Sequence, residues 1–225
     1  MNRHIAIDGP GSSGKSTIAK ILAARTGHVY VDTGAMFRAM AVCVTEEGIP
    51  ASDEAAVTEL VRKADITICP SPEGQRVIVD GRDVTPFLRR EEVGQAASAI
   101  SVYGGVREVM KELQQKLAAE KPVVMDGRDI GTVILPDAFL KIFMTASSKV
   151  RAERRCRELL AKGLPADFET VKAELDERDW RDTHREIAPL KQADDAIRLD
   201  TSYMEIGEVC ARIMRLYEMK EAAWK

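Results

Sequence analysis

Gly9-Pro10-Gly11-Ser12-Ser13-Gly14-Lys15-Ser16 decides the fold. It matches G-x-x-x-x-G-K-[ST], and the residues on either side give that pattern its meaning. Before it, His4 to Asp8 is a short apolar run of strand type; after it, Lys15 to about Arg25 carries a helical pattern. Glycines let the backbone curl until successive N–H groups and the helix start face one anion, while a lysine in this place reaches the outer phosphates of a nucleoside triphosphate. The pattern assigns Gly9, Pro10, Gly11, Ser12, Ser13, Gly14, Lys15, Ser16 and Thr17 to ATP, gives Lys15 a catalytic part, and offers the Ser16 hydroxyl to Mg2+.

Outward from this loop, strand signals recur at His28–Asp32, Val123–Asp126, Phe139–Thr145 and Ala196–Thr201, separated by helical stretches at Ala35 to about Glu47 and Val106–Ala119. Such alternation predicts an α/β fold with a five-stranded, doubly wound parallel sheet and flanking helices. Sheets of this kind bind ligands beyond the carboxyl ends of their strands, so Asp8-Gly9, Asp32-Thr33 and Asp126-Gly127-Arg128-Asp129 should face one crevice. Between about Asp65 and Ser101 the pattern changes. Ile66–Cys69 and Arg76–Val79 bracket a Pro70-Ser71-Pro72-Glu73-Gly74 turn, Asp80-Gly81 marks a tight hairpin into Arg82–Thr85, and a helix follows near Glu91–Ile100. The expectation is a core formed by residues 1–60 and 102–225, with a small antiparallel subdomain inserted at 61–101. The stretch after Met204 reads as an amphipathic helix.

Charge and composition narrow the partners. A net charge of −3 gives no broad basic field for nucleic acid or anionic lipid, so anions must be held locally. Cys43, Cys69, Cys156 and Cys210 form no CxxC pair and read as small apolar residues in a reducing compartment. No run approaches the ~20 apolar residues of a membrane span. With a strand signal at the N-terminus and no long apolar stripe, the expectation is a cytoplasmic monomer.

Arginines crowd two helical stretches, at Arg151, Arg154, Arg155 and Arg157 and at Arg178, Arg181 and Arg185. Arg178, Asp182 and Arg185 fall on one helical face, as do Arg151 and Arg155. Such a face can grip a phosphate and a sugar together; it can equally be a solvated ion-pair surface with Glu153, Glu158, Glu177 and Asp179. Lys162-Gly163-Leu164-Pro165 between the two stretches suits a hinge, making about 150–168 a lid. Asp126 ends an apolar strand, where a carboxylate can orient Mg2+-bound water or simply cap a turn. A guanine-nucleotide switch is excluded by the absence of Asn-Lys-x-Asp, since the only asparagine is Asn2.

Four segments together resemble the bacterial cytidylate kinases along essentially the whole chain. They are Ile7-Asp8-Gly9-Pro10 with the phosphate loop, Asp32-Thr33-Gly34-Ala35-Met36-Phe37-Arg38, Asp126-Gly127-Arg128-Asp129-Ile130-Gly131-Thr132, and Glu177-Arg178-Asp179-Trp180-Arg181-Asp182 leading to Ala188-Pro189-Leu190. The resemblance implies a P-loop nucleoside monophosphate kinase fold with a lid and an enlarged monophosphate-binding region. It implies ATP as donor, Mg2+ as cofactor, and CMP or dCMP as acceptor. Arg38, Arg128 and Arg185 would then hold the acceptor phosphate, Arg178 and Asp182 the pentose, and Ser98, Arg107 and Asp129 the base, with Thr33 beside the acceptor. Arg151 and Arg155, with Lys15, Arg128 and Arg185, would neutralise the migrating phosphoryl group, Arg151 nearer the adenine and Arg155 nearer the phosphates. Thr33 and Phe37 stand where relatives usually carry Ser and Tyr. Thr33 keeps a hydroxyl, and Phe37 keeps a ring but loses the phenol.

Overall fold

The computed structural model describes residues 3–71 and 74–223. The Pro72-Glu73 part of the expected turn lies outside the described residues. The chain divides into two compact units, Met1–His28 with Val124–Lys225, and Val29–Val123. The larger sheet has five strands in the order β2-β6-β1-β7-β8, with β1 at Ile5–Asp8, β2 at Val29–Asp32, β6 at Val123–Gly127, β7 at Leu140–Thr145 and β8 at Ile197–Asp200.

In the first unit, β1 pairs in parallel with β6 on one side and β7 on the other, and β7 pairs in parallel with β8. All four residues of β1 are buried, as expected for a central parallel strand covered on both faces. The register sets Asp8 opposite Gly127 and Phe143, and Thr145 opposite Asp200, so these strand ends finish together. Helix α1 (Lys15–Thr26) starts at Gly14 in the left-handed conformation. Beyond β7, α6 (Ser148–Ala161) and α7 (Phe168–His184) form a helical hairpin held by Ala152, Leu159, Val171 and Leu175, with Cys156, Ala166 and Phe168 against them. The Ser147 and Asp167 side chains cap these helices by accepting from Val150 N and Thr170 N. The last helix, α8, spans Ile206–Ala223.

In the second unit, Asp32 ends β2 and caps α2 (Thr33–Glu46), its Oδ1 accepting from Ala35 N at 2.9 Å. The antiparallel meander forms from β3 (Ile66–Ser71), β4 (Gly74–Val79) and β5 (Arg82–Asp83). Asp80 and Gly81 turn the last hairpin with φ of 50° and 78°, the pair of positive angles that favours Asp-Gly. β5 stops at Asp83, two residues short of the sequence expectation. Pro86 removes a ladder donor, and Thr85–Phe87 forms a 3-10 turn in which Thr85 Oγ1 accepts from Val77 N at 2.8 Å. Three helices complete the unit: α3 (Glu54–Lys63), α4 (Glu91–Ile100) and α5 (Gly104–Glu120). The pattern did not announce α3, although Asp53 caps it, accepting from Ala56 N, and Val57 and Val61 bury one face. Among the described residues no helix is long and apolar enough to cross a membrane.

Candidate active site

The phosphate loop bends away from β1 at Gly9, whose φ of 148° suits glycine. A Cβ there would lie 1.9 Å from the Met144 carbonyl oxygen, so the loop follows the β7 backbone too closely for any side chain. Lys15 is buried and folds back on its own loop, its Nζ donating to Pro10 O at 2.6 Å and to Ser13 Oγ at 3.3 Å. Burial pushes its ammonium down to about 7, and the Arg128 cation adds to that, against the pull of Asp126 and Asp8. A phosphate entering the loop would supply the missing negative charge. Thr17, in the first turn of α1, is exposed.

Ser16 Oγ donates to Asp126 Oδ2 at 2.8 Å. One hydroxyl and one carboxylate next to a phosphate loop fit Mg2+, which commonly takes one or two protein ligands and fills the rest of its octahedron with water and phosphate oxygens. Among the described residues no cluster of three or more His, Cys, Asp or Glu side chains offers a larger metal cage.

Three elements bring arginines to the same region. Arg128 follows β6, and its guanidinium lies 3.7 Å from where a Gly11 Cβ would be. Its Nε donates to Asp182 Oδ2 at 2.8 Å. Arg185, at the end of α7, stands 3.8 Å from Asp182 Oδ1 and 3.4 Å from Asp129 Oδ1 and donates through Nε to Ala188 O. Burial alone would raise the Asp182 carboxyl, but Arg128, Arg178 and Arg185 outweigh it and hold the group below the ordinary carboxylate range. The face predicted from spacing is therefore a partly buried ionic array, with Arg128 added from another element.

Arg151 is buried on α6 and uses every nitrogen: Nε donates to Ala146 O, Nη1 to Gly11 O at 3.2 Å, and Nη2 pairs with Asp179 Oδ2 at 2.6 Å. It braces the phosphate loop against the α6–α7 hairpin. Arg155, one turn further along α6, pairs with Glu158 at 3.1 Å. Sequence reasoning gave no part to Arg154, yet its Nη1 donates to Ser13 O and its Nη2 to Thr201 O at 2.7 Å. Arginine density was its only signal. Asp179 belongs to the solvated ion-pair alternative weighed from the sequence, and no local signal marks it as the partner of Arg151. Asp8, at the end of β1, receives Ile130 N on Oδ1 at 2.8 Å and Gly131 N on Oδ2 at 2.7 Å. Burial raises its carboxyl to about 6 despite those two N–H donors; the nearby Asp129 charge raises it further, and Lys15 works against that.

The second unit carries the remaining candidates. Asp32 Oδ2 accepts from Arg38 Nη2 at 2.9 Å, and Gln75 clasps the Asp32 backbone, accepting from its N–H at 2.8 Å and donating to its carbonyl at 3.0 Å. That clasp ties β4 to the start of α2, where Thr33 is buried. Arg107, on α5, donates to Ser101 O at 3.1 Å, with its guanidinium 5.8 Å from the Phe37 ring centroid. The ring retained at Phe37 thus stacks a cation without needing a phenol. Among the described residues here, Ser98 Oγ and Arg38 Nε are buried without a hydrogen-bond partner.

The family model for cytidylate kinase matches residues 5–219, nearly the whole chain. The chain belongs to the cytidylate kinase family. A cytidylate kinase of Bacillus velezensis is 47% identical over 216 residues, covering 96% of both chains. One of Enterococcus faecalis is 48% identical over 216 residues, again covering 96% of both. An uncharacterized protein from Eubacterium ventriosum, solved by crystallography, superposes with a TM-score of 0.53 at 14% identity, covering 97% of this chain and 99% of that one, a likeness of fold alone. The cytidylate kinase match spans both the phosphate-loop unit and the unit carrying Arg38, Ser98 and Arg107.

Proposed function

We propose that this chain transfers the γ-phosphoryl group of ATP to CMP or dCMP, giving ADP and CDP or dCDP. The observation that carries the reading is the Arg128–Asp182–Arg185 array next to a phosphate loop, within a chain that matches the cytidylate kinase family over residues 5–219. Gly9 to Thr17 hold the ATP phosphates. Arg38, Arg128 and Arg185 grip the acceptor phosphate, because planar guanidinium forks bind phosphate oxygens bidentately. Arg178 and Asp182 hold the pentose, with Thr33 beside the acceptor.

Ser98, Arg107 and Asp129 read the base. Cytosine offers an amino donor and two acceptors, so a carboxylate receives the N4 hydrogens while a guanidinium and a hydroxyl serve the other edge. Uracil would set a carbonyl oxygen against Asp129, and an unmet polar group of that kind supports discrimination of up to about 10⁴-fold. The hydroxyl of Ser98, buried without a partner, supports its part in this set.

No general base is required, since the attacking phosphate oxygen is already an anion near neutral pH. The site must bring two polyanions together, align them in line and spread the charge of the migrating group. Lys15, Arg128, Arg185 and the α6 arginines Arg151 and Arg155 do this, Arg151 through its hold on Gly11. Ser16 and Asp126 would hold Mg2+, whose charge would help neutralise the donor phosphates. Closure of residues 61–101 and of a lid at about 150–168 keeps water from the phosphoryl group.

ADP release from Mg2+-ATP should be measured with CMP, dCMP, UMP and AMP in turn. Fast turnover with the two cytosine nucleotides and slow turnover with UMP is the expected result; preference for UMP or AMP would overturn the base assignment. Hydrogen exchange should fall across 60–100 and 150–170 when both nucleotides are present, and unchanged exchange there would overturn the closing scheme.

A further inference from the structure

Asp8 lies at a junction that the phosphoryl-transfer chemistry does not itself use. It is the last residue of β1, is 5% exposed, and precedes Gly9, where the phosphate loop begins. Its two oxygens are taken by consecutive backbone donors, Ile130 N at 2.8 Å and Gly131 N at 2.7 Å. Each of the two adjacent N–H groups meets its own oxygen, an arrangement that a carboxylate offers and that asparagine or serine, with a single acceptor oxygen, does not. Burying a carboxylate costs several kcal/mol, on the order of the ion-desolvation penalty, so shape alone is a poor account of an aspartate here.

What Asp8 holds is an irregular turn. Ile130–Ile134 forms one π-helical turn whose first residue follows Asp129 directly, and Asp129 itself has φ −142° and ψ 24°, outside regular helix or strand. The seat is tight on the other side as well: a Cβ on Gly131 would lie 3.2 Å from Lys141 Cδ and 3.4 Å from Asp8 Oδ2. The backbone that fixes where Asp129 starts is thus clamped by Asp8 one residue further on.

We propose that Asp8 is a positioning residue for acceptor recognition, acting through the Ile130 and Gly131 N–H groups to set the Asp129 carboxylate against the base. The proposal rests on the assignment of Asp129 to the base. A competing route runs through charge, since Asp8 also lies near Lys15. The nearest contacts of that ammonium, however, are Pro10 O and Ser13 Oγ, and a charge effect there would weaken ATP use equally with every acceptor.

Asp8→Asn keeps the size of the side chain and leaves only one oxygen for two donors. Steady-state kinetics with CMP and UMP should show the CMP:UMP ratio of kcat/KM falling roughly 10-fold, KM for CMP rising by a similar factor, and KM for ATP within about 2-fold of wild type. Faster hydrogen exchange at the Ile130 and Gly131 amides should accompany this. Gly131→Ala, which leaves Asp8 in place and sets a methyl 3.2 Å from Lys141 Cδ and 3.4 Å from Asp8 Oδ2, gives a second test in case Asp8→Asn does not fold, with a smaller loss of ratio in the same direction. Asp129→Ala, assayed alongside, separates the role of Asp8 from that of Asp129. If it loses the ratio while both other variants keep it, the role of Asp8 falls and the base assignment stands; if Asp129→Ala itself keeps the ratio, both fall. A uniform loss with CMP and UMP together with a raised KM for ATP would favour the Lys15 route and overturn the proposal.

Discussion

Around the phosphate loop two buried arginines are matched by acceptors within the protein, Arg128 by Asp182 and Arg151 by Gly11 O and Asp179, although Asp179 Oδ1 is itself buried without a hydrogen-bond partner. In the second unit the Ser98 hydroxyl and the Arg38 Nε are also buried, yet neither has a hydrogen-bond partner. The difference separates two ways of preparing a binding site. Where several cations crowd together, carboxylates placed among them hold the guanidinium groups apart and in position before any phosphate arrives. Where a single neutral group must recognise a base, its hydrogen bond is left unmade until the ligand makes it. In the first case removing a partner damages the fold and the site together; in the second, removing the group damages recognition alone.

The largest effect should come from breaking the matched array. Asp182→Ala takes the acceptor from Arg128 and the neighbouring charge from Arg185. With side chains only 8% and 18% exposed at the Asp182–Arg128 pair, it should cost roughly 3–5 kcal/mol in denaturant unfolding. Its kcat/KM for CMP should fall ~10²-fold or more. A stable, active Asp182→Ala protein would show that the array is not prepared by its carboxylate.

Arg38→Ala sharpens the comparison from the other unit. Its KM for CMP should rise ~10²-fold through loss of a phosphate fork, while stability drops by less than about 1 kcal/mol because the Arg38–Asp32 pair is partly solvated and Asp32 keeps its cap on Ala35. An equal rise in the KM for ATP would contradict the assignment to the acceptor.

Asp8 offers a smaller, pH-dependent effect. The folded carboxyl holds its proton to about 6, against an ordinary value of 3.8, because burial, with the Asp129 charge, outweighs the Ile130 and Gly131 N–H groups and Lys15. Between those values the folded state binds more protons than the unfolded one, so this group makes stability fall as pH rises through that window. The difference in unfolding free energy between wild type and Asp8→Asn should therefore shift against wild type from about pH 4 to pH 6 and level off above. A flat difference would mean that the Asp8 carboxyl titrates at its ordinary value.

The parts legible in the sequence were those fixed by neighbouring residues. The phosphate loop with its strand and helix, the Asp80-Gly81 hairpin and the one-faced run Arg178, Asp182, Arg185 all depend on short-range spacing. Partners made by tertiary contact were not legible: Arg128 finds Asp182 54 residues away, and Asp8 finds Ile130 122 residues away. The π-helical turn at Ile130–Ile134 has no local signature, since its β-branched residues favour strand by propensity and the turn is held from outside. Helix α3 was missed for a different reason. Asp53-Glu54 is a fair start signal, but the segment carries only two buried apolar residues, too few to stand out as a period.

Ser98→Ala tests whether this buried hydroxyl is left unmatched for the nucleotide to complete. Thermal unfolding and CMP kinetics should be measured on the same preparation. Removing a buried hydroxyl without a partner should leave Tm unchanged or raise it, while KM for CMP rises about 10-fold through loss of one hydrogen bond to the base. A lower Tm with an unchanged KM would mean that the hydroxyl serves the fold and not the nucleotide.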